Sequence, residues 1–352
     1  MTSSISNIPH SLAQLGRLGA PLSEALSRLR TTGRVGLHAS GLMSAWASAL
    51  PLDEVDLSFF KSSFTGAMEL HARVLSEPDK REALARAERE DLFTLPVFLA
   101  SSLSDIGRVR YKQRNGLRGL PVEPGDAFPY PDYYLTDFHN QANGGLSLRA
   151  ALTYEWQIRF LFMGANRLMR QGVIDQLPEG NHLDILDVAC GPATWMGQAW
   201  LQNRRHRYTG IDLSPAYLEA ARLLRRKATF LQMNAEQMLP EWTGRFDLLT
   251  CIWLFHELPL PVIERVTAEM ARVLKPGGTL LFMDAIQEGD GAAGESISFE
   301  RFEAYFNEPF FLDYSRLELP ALFARHGLRT VKTERWFLSK LLVLRKEARG
   351  SV

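Results

Sequence analysis

The sequence predicts an α/β fold, a mostly parallel sheet covered by helices, preceded by an all-helical unit. Three observations carry this reading. From residue 183 onward, apolar runs of strand length alternate with helix-length segments, the pattern of a parallel sheet with helices on both faces. Two of these runs, Leu183-Asp184-Ile185-Leu186-Asp187 and Gly210-Ile211-Asp212, end in an acid, where open parallel sheets place their ligand crevice. Earlier, over residues 53–115, apolar residues recur at helical spacing without that alternation.

Taken in order, Met1 to Gly36 is rich in Ser, Leu and Gly with weak helical periodicity, and Asp53 to Asn115 is more strongly helical through Phe60, Phe64, Met68, Val74, Leu84, Leu92 and Leu95. The run Arg108, Arg110, Lys112, Arg114 and Arg118 reads as a solvated surface more readily than as a steering patch. Arg118 to Asp132 holds four prolines and two glycines in fifteen residues, the strongest interruption in the chain. The expected units are therefore residues 1–120 as a helical accessory domain serving as lid or dimer interface, 121–146 as a linker and lid segment, and 147–352 as the ligand-binding domain. A helix is expected over 147–171, strands over 183–188, 207–211, 228–233, 246–252 and 279–284, and helices over 194–203, 215–227 and 260–274. Ser214-Pro215 supplies an N-cap followed by a first-turn proline, and Lys275-Pro276-Gly277-Gly278 stops the last of these helices. A Gly-, acid- and aromatic-rich insertion follows Asp284. A helix over 319–326 and strands over 328–337 and 339–345 close the fold.

The 352 residues carry 40 basic and 40 acidic side chains. That balance lacks the broad basic footprint of a nucleic-acid binder. Two isolated cysteines, Cys190 and Cys251, provide neither a disulfide framework nor a zinc site. The first residues lack a signal-peptide layout, and no run reaches the ~18 apolar residues of a membrane span. A cytoplasmic protein, without nucleic-acid, membrane or metal partners, is expected.

The motif chemistry sits in 183–280. Gly191 permits a tight turn that turns helix N-terminal amides toward a ligand. Asp212 lies 25 residues after Asp187, close to the spacing of an acid that grips ribose hydroxyls. A dinucleotide site calls for three glycines, and Ala189, Gly191 and Thr194 stand at those positions. Asp187-Val188-Ala189-Cys190-Gly191, Met233-Asn234-Ala235-Glu236, Phe246 to Cys251, Leu254-Phe255-His256-Glu257-Leu258 and Arg272 to Leu280 follow in order. Together they resemble the class I S-adenosylmethionine-dependent methyltransferases, notably the ubiquinone/menaquinone methyltransferase-like branch. The resemblance covers about Tyr154 to Asp284 well and the first 120 residues hardly at all.

The resemblance implies a Rossmann-like seven-stranded methyltransferase sheet and S-adenosylmethionine as cofactor. It places Asp187, Ala189 and Gly191 in the loop around the methionine part, Asp212 on the ribose, Leu213 on the adenine, and Asn234 and Ala235 at its amino edge. Arg170 is a candidate for the cofactor carboxylate. Ala193 stands where a third glycine is usual, so its methyl group either crowds the cofactor or is absorbed by the helix start. Methyl transfer requires alignment and water exclusion, and an oxygen or nitrogen acceptor also requires loss of a proton. His256, paired with Glu257, is the leading candidate for that base, with Asp284 and His139 as further candidates. Tyr133, Tyr134 and Phe306 are candidate acceptor-pocket walls. The expected reaction is O- or N-methylation of a small molecule in specialised metabolism, by a chain compatible with a homodimer. The rivals are carbon methylation of an electron-rich acceptor and a non-catalytic cofactor-binding module.

Overall fold

The computed structural model describes residues 57–91, 96, 98, 111, 115, 128–136, 138, 144–180, 182–225, 227–291, 299 and 308–348. Seven strands form one sheet: β1 (Asp184–Val188), β2 (Arg207–Asp212), β3 (Thr229–Gln232), β4 (Phe246–Ile252), β5 (Leu274–Ala285), β6 (Leu328–Trp336) and β7 (Ser339–Lys346). Their order is β3-β2-β1-β4-β5-β7-β6. The first five pair in parallel, and β7 inserts antiparallel between β5 and β6. The helices are α1 (Leu57–Leu75), α2 (Pro78–Asp91), α3 (Leu148–Leu161), α4 (Asn166–Ile174), α5 (Thr194–Gln202), α6 (Pro215–Leu224), α7 (Leu260–Val273), α8 (Phe311–Ser315) and α9 (Leu319–Arg325).

Alternation along the strands sends successive side chains to opposite faces. Ile185, Leu248, Leu281 and Met283 join one core with residues of α1, α2, α4 and α5, whereas Leu186, Leu249, Leu280 and Phe282 join another with α7 and α9. Helices α1 and α2 thus share the core of the sheet through Ala67, Leu70, Val74 and Leu84. At Gly172 the Trp336 indole comes so close that an added Cβ would lie 2.3 Å from it. That contact seats α4 against the β6–β7 hairpin.

Two expected elements differ in the structure. The helix over 147–171 is two helices, because Met163 (φ 50) and Gly164 (φ 81) turn left-handed between α3 and α4; Ser147 caps the first by accepting from the Ala150 amide. Strand β5 begins at Leu274, five residues before the expected 279, and takes Lys275 to Gly278 into an irregular start where its register against β4 shifts. The Met1 to Gly36 segment and the Arg108–Arg118 basic residues lie outside the described residues.

Candidate functional site

The site forms at the carboxyl ends of β1, β2, β4 and β5. Beyond β1, three alternate residues are left-handed: Ala189 (φ 55), Gly191 (φ 54) and Ala193 (φ 56). This backbone brings the Cys190 amide onto the Ile211 carbonyl at 2.9 Å and the Gly191 amide onto Asp212 Oδ2 at 2.9 Å. Asp212 Oδ1 also accepts from the Ser214 amide at 2.8 Å. Burial pushes the Asp212 carboxyl up to about 6, against these amides, which favour its charged form. Ala193 is fully buried as the residue preceding α5, so the helix start takes up its methyl group.

The loop and strand ends line a first cavity of about 1010 Å³ of empty space, open mouth included. Ala189, Gly191, Asp212, Leu213, Asn234 and Ala235 all lie on its wall. Asn234 is held by the Glu236 amide, which donates to its Oδ1 at 2.9 Å. Tyr133 and Tyr134 also line this first cavity. The Tyr133 hydroxyl donates to Glu236 at 2.7 Å and Gln232 donates to the Tyr130 hydroxyl at 3.1 Å, which tie the segment to β3 and the turn after it.

Asp187 is buried behind the loop, accepts from the Thr250 hydroxyl at 2.7 Å, and is pushed by burial up to about 7. Arg170 corrects an expectation. Instead of ending a helix near a ligand, it sits within α4, 3% exposed, its guanidinium 2.8 Å from Glu155 and 4.7 Å from the Trp253 ring centre. It lines neither cavity.

A second cavity, of about 640 Å³ of empty space with its open mouth included, shares Tyr154, Trp253 and Glu257 with the first. Among the described residues its polar wall is His256, Glu257 and Glu308, and the others are apolar or aromatic, including Phe162, Phe299 and Phe311. His256 and Asp284, separate candidates in the sequence, are brought together here: the His256 Nδ1 bonds Asp284 Oδ1. Asp284 is itself fixed by the amides of Leu254 (3.1 Å), Phe255 (2.6 Å) and Ala285 (2.7 Å). The other ring nitrogen, Nε2, lies 3.9 Å from Glu308 Oε2. Burial disfavours the imidazolium, yet Asp284 and then Glu308 outweigh it and hold the His256 pKa up at about 9. His139 and Phe306 lie outside the described residues. Among the described residues, no group of three His, Cys, Asp or Glu could hold a metal ion.

Sequence reasoning missed Trp253 and Glu308. Trp253 is left-handed (φ 56), donates its backbone amide to Met283 at 2.8 Å and its indole N–H to Ser339 at 2.9 Å, and stacks on Phe162 at 5.0 Å. A tryptophan held in this conformation carries strain that its surroundings must enforce. Glu308 is 1% exposed and belongs to the aromatic insertion, which offers no periodic signal.

Comparison with known proteins bears on this geometry. Residues 185–278 match a family model described as a methyltransferase domain. Over 112 residues the chain is 35% identical to a ubiquinone biosynthesis O-methyltransferase of Pseudomonas paraeruginosa, covering 31% of this chain and 46% of that protein. It is 31% identical over 126 residues to an uncharacterized methyltransferase of Synechocystis, covering 35% and 57%. The chain thus spans about half the length of the curated relatives it matches. A solved structure of a putative methyltransferase from Bacillus halodurans aligns with a TM-score of 0.41 and 19% identity, covering 51% of this chain and 99% of that one.

Proposed function

We propose that this class I S-adenosylmethionine-dependent methyltransferase domain transfers a methyl group to an oxygen or nitrogen atom of a small-molecule acceptor held in the second cavity. The observation that carries the reading is the adjacency of two unlike cavities. One has the donor set of a nucleoside site; the other has a histidine between carboxylates, and Tyr154, Trp253 and Glu257 border both.

The first cavity fits the cofactor chemically. Asp212 spends one lone pair of each oxygen on a backbone amide, and a carboxylate offers about four acceptor sites, so it can still receive the two ribose hydroxyls. Leu213 and Ala235 would flank the adenine and Asn234 would meet its amino edge, while Ala189 and Gly191 would border the methionine part with Asp187 behind them. When bound, the cofactor supplies a methyl group already activated on a sulfonium sulfur. The chain therefore contributes alignment, water exclusion and proton removal.

His256 is the candidate base. Asp284 fixes Nδ1, leaving Nε2 toward Glu308 and the second cavity. In its neutral form Nε2 would take the proton that the acceptor oxygen or nitrogen gives up as it is methylated. Because the flanking carboxylates hold the imidazole near pKa 9, the neutral form is roughly 1% of the population at pH 7, and turnover rises with pH. Glu257, on the wall of both cavities, orients the acceptor at their junction. Residues 128–136 with Phe138 act as a cover over the first cavity, and the helical unit acts as a buttress behind the sheet, where α1 and α2 already share its core.

The test is calorimetric binding of S-adenosylhomocysteine, followed by product analysis with methyl-labelled S-adenosylmethionine and a panel of phenols, anilines and electron-rich alkenes. Micromolar binding and label on oxygen or nitrogen are expected. Label on carbon would move the reaction to carbon methylation, and absence of binding would remove the transferase reading.

A further inference from the structure

The cover on the first cavity is fastened by side chains that also hold the wall beneath it. Glu236, in the turn after β3, does not line that cavity, but Tyr133 and Asn234, which do, both hydrogen-bond to its carboxylate. The Tyr133 hydroxyl donates to Oε1 at 2.7 Å, and Asn234 Nδ2 donates to the same oxygen at 3.1 Å. The Glu236 amide donates back to Asn234 Oδ1 at 2.9 Å, which fixes the two ends of the Asn234 side chain in one orientation. The other carboxylate oxygen, Oε2, faces Arg265 of α7 at 2.6 Å. The Glu236 side chain is 13% exposed and that of Arg265 54%, so water screens the ion pair far more than it screens the bond to Tyr133.

Burial opposes the charge of Glu236, yet Tyr133, Arg265 and Asn234 together hold its pKa below the usual carboxylate range, while burial and then Glu236 push the Tyr133 hydroxyl up. The pair at neutral pH is therefore a neutral phenol donating to an ionised carboxylate, the stronger class of hydrogen bond. A parallel tie runs through Gln232, the last residue of β3, which donates to the Leu213 carbonyl and to the Tyr130 hydroxyl, each at 3.1 Å. Tyr130 in turn stacks on Tyr134 at 5.9 Å. The cover is thus fastened to Leu213 and Asn234, the residues that would meet the adenine.

We propose that Glu236 is a positioning residue of the cofactor site, whose bond to Tyr133 locks the cover and so sets how fast the cofactor is exchanged while leaving its equilibrium affinity almost untouched. The proposal rests on the reading of the first cavity as the S-adenosylmethionine site. The lock joins two protein groups, so it favours the shut cover equally with the cavity filled or empty, and affinity responds only to a difference between states.

The full chain and its Tyr133→Phe, Glu236→Ala, Glu236→Gln and Arg265→Ala variants test it, by surface plasmon resonance with S-adenosylhomocysteine and by amide hydrogen exchange over residues 128–136 without any ligand. Tyr133→Phe, which keeps the ring, is expected to raise the association and dissociation rate constants together by about tenfold and to leave Kd within about twofold. Glu236→Ala also removes a partner of Asn234, so dissociation should rise further than association and Kd should weaken by ~tenfold. Glu236→Gln keeps an acceptor oxygen and should fall between the parent and Glu236→Ala. Arg265→Ala should change neither rate by more than about threefold. Exchange over 128–136 should quicken by about tenfold in Tyr133→Phe. Unchanged rates in Tyr133→Phe overturn the proposal, as does a Kd that weakens in step with dissociation there, or an effect of Arg265→Ala as large as that of Glu236→Ala. If S-adenosylhomocysteine binds and the rates do not move, the inference fails and the cofactor reading stands. If it does not bind the parent chain, the cofactor reading fails, and hydrogen exchange decides the lock alone: quickened exchange in Tyr133→Phe supports it and unaltered exchange overturns it.

Discussion

Replacing Glu308 by glutamine changes one charge 3.9 Å from His256 Nε2 and leaves the shape of the cavity nearly intact. Opposite charges at that distance attract by about 4 kcal/mol at an effective dielectric of 20, which sets an upper limit of roughly 3 pH units on what Glu308 contributes to the His256 pKa. Burial opposes it, and Asp284 remains in place. Glu308→Gln should therefore lower the His256 midpoint from about 9 by ~1–3 units. Ring-nitrogen NMR of protein labelled in histidine, titrated from pH 5 to pH 10 and assigned with His256→Asn, reads this without any substrate. The same change appears in stability. The folded pKa lies above the unfolded value of 6.5, so the native state binds the extra proton and the stabilisation is complete below pH 6.5 and lost as pH rises through about 9. The full difference corresponds to ~3 kcal/mol. Glu308→Gln should be less stable than the parent at pH 6 and indistinguishable from it at pH 10. A parent midpoint between 6 and 7, or one that the substitution leaves in place, would falsify the assignment of Glu308 as a partner of the imidazole.

Other substitutions test the remaining parts of the argument. Asp212→Ala removes the acceptor of the Gly191 and Ser214 amides and the expected ribose partner, and calorimetry should find S-adenosylhomocysteine bound ~100-fold more weakly, the equivalent of about 3 kcal/mol for a charge-assisted site; a change below threefold would detach Asp212 from the cofactor. Ala189→Gly relieves a left-handed alanine that costs roughly 1–2 kcal/mol, less the added freedom of glycine in the unfolded chain, so denaturant unfolding should show a gain of up to ~1 kcal/mol. Ala193→Gly should come out near zero, because it also uncovers a buried methyl group worth ~0.8 kcal/mol. Gly172→Ala drives a methyl group into the Trp336 indole and should cost about 1–3 kcal/mol of unfolding free energy; a neutral result would mean that the hairpin can retreat from α4.

Much of the first cavity was legible because its residues are local. Asp212, Leu213, Asn234 and Ala235 sit at or just past strand ends, and the alternation of strands and helices carries them to one edge of the sheet. The second cavity was legible only in part. His256 and Asp284 stood out singly, the first just past β4 and the second at the end of β5, but their pairing depends on β4 and β5 being neighbours, a tertiary fact. Glu308 comes from an aromatic insertion without period, and nothing in the chain relates it to a histidine 52 positions earlier. Arg170 was misplaced because the break at Met163-Gly164 went unread, although a glycine inside a helical pattern is the available warning of such a break. With one long helix, residue 170 falls at its end; with two, it falls in the buried middle of the second. The early start of β5 escaped for a similar reason, since Pro276-Gly277-Gly278 has the composition of a turn while its backbone continues into the sheet.

Trp253 stands as the partition between the two cavities, and its indole is tied to β7 through Ser339 and to α3 and α4 through Phe162 and Arg170. Two ligands that press on one wall exchange free energy through it, and thermodynamics requires the exchange to be symmetric. Whatever factor the occupant of the first cavity adds to affinity in the second, the second occupant must return to the first. A partition anchored this firmly gives little to either side, so the two chambers should fill in either order with nearly independent affinities, and loosening Trp253 from its anchors should make each compartment sensitive to its neighbour.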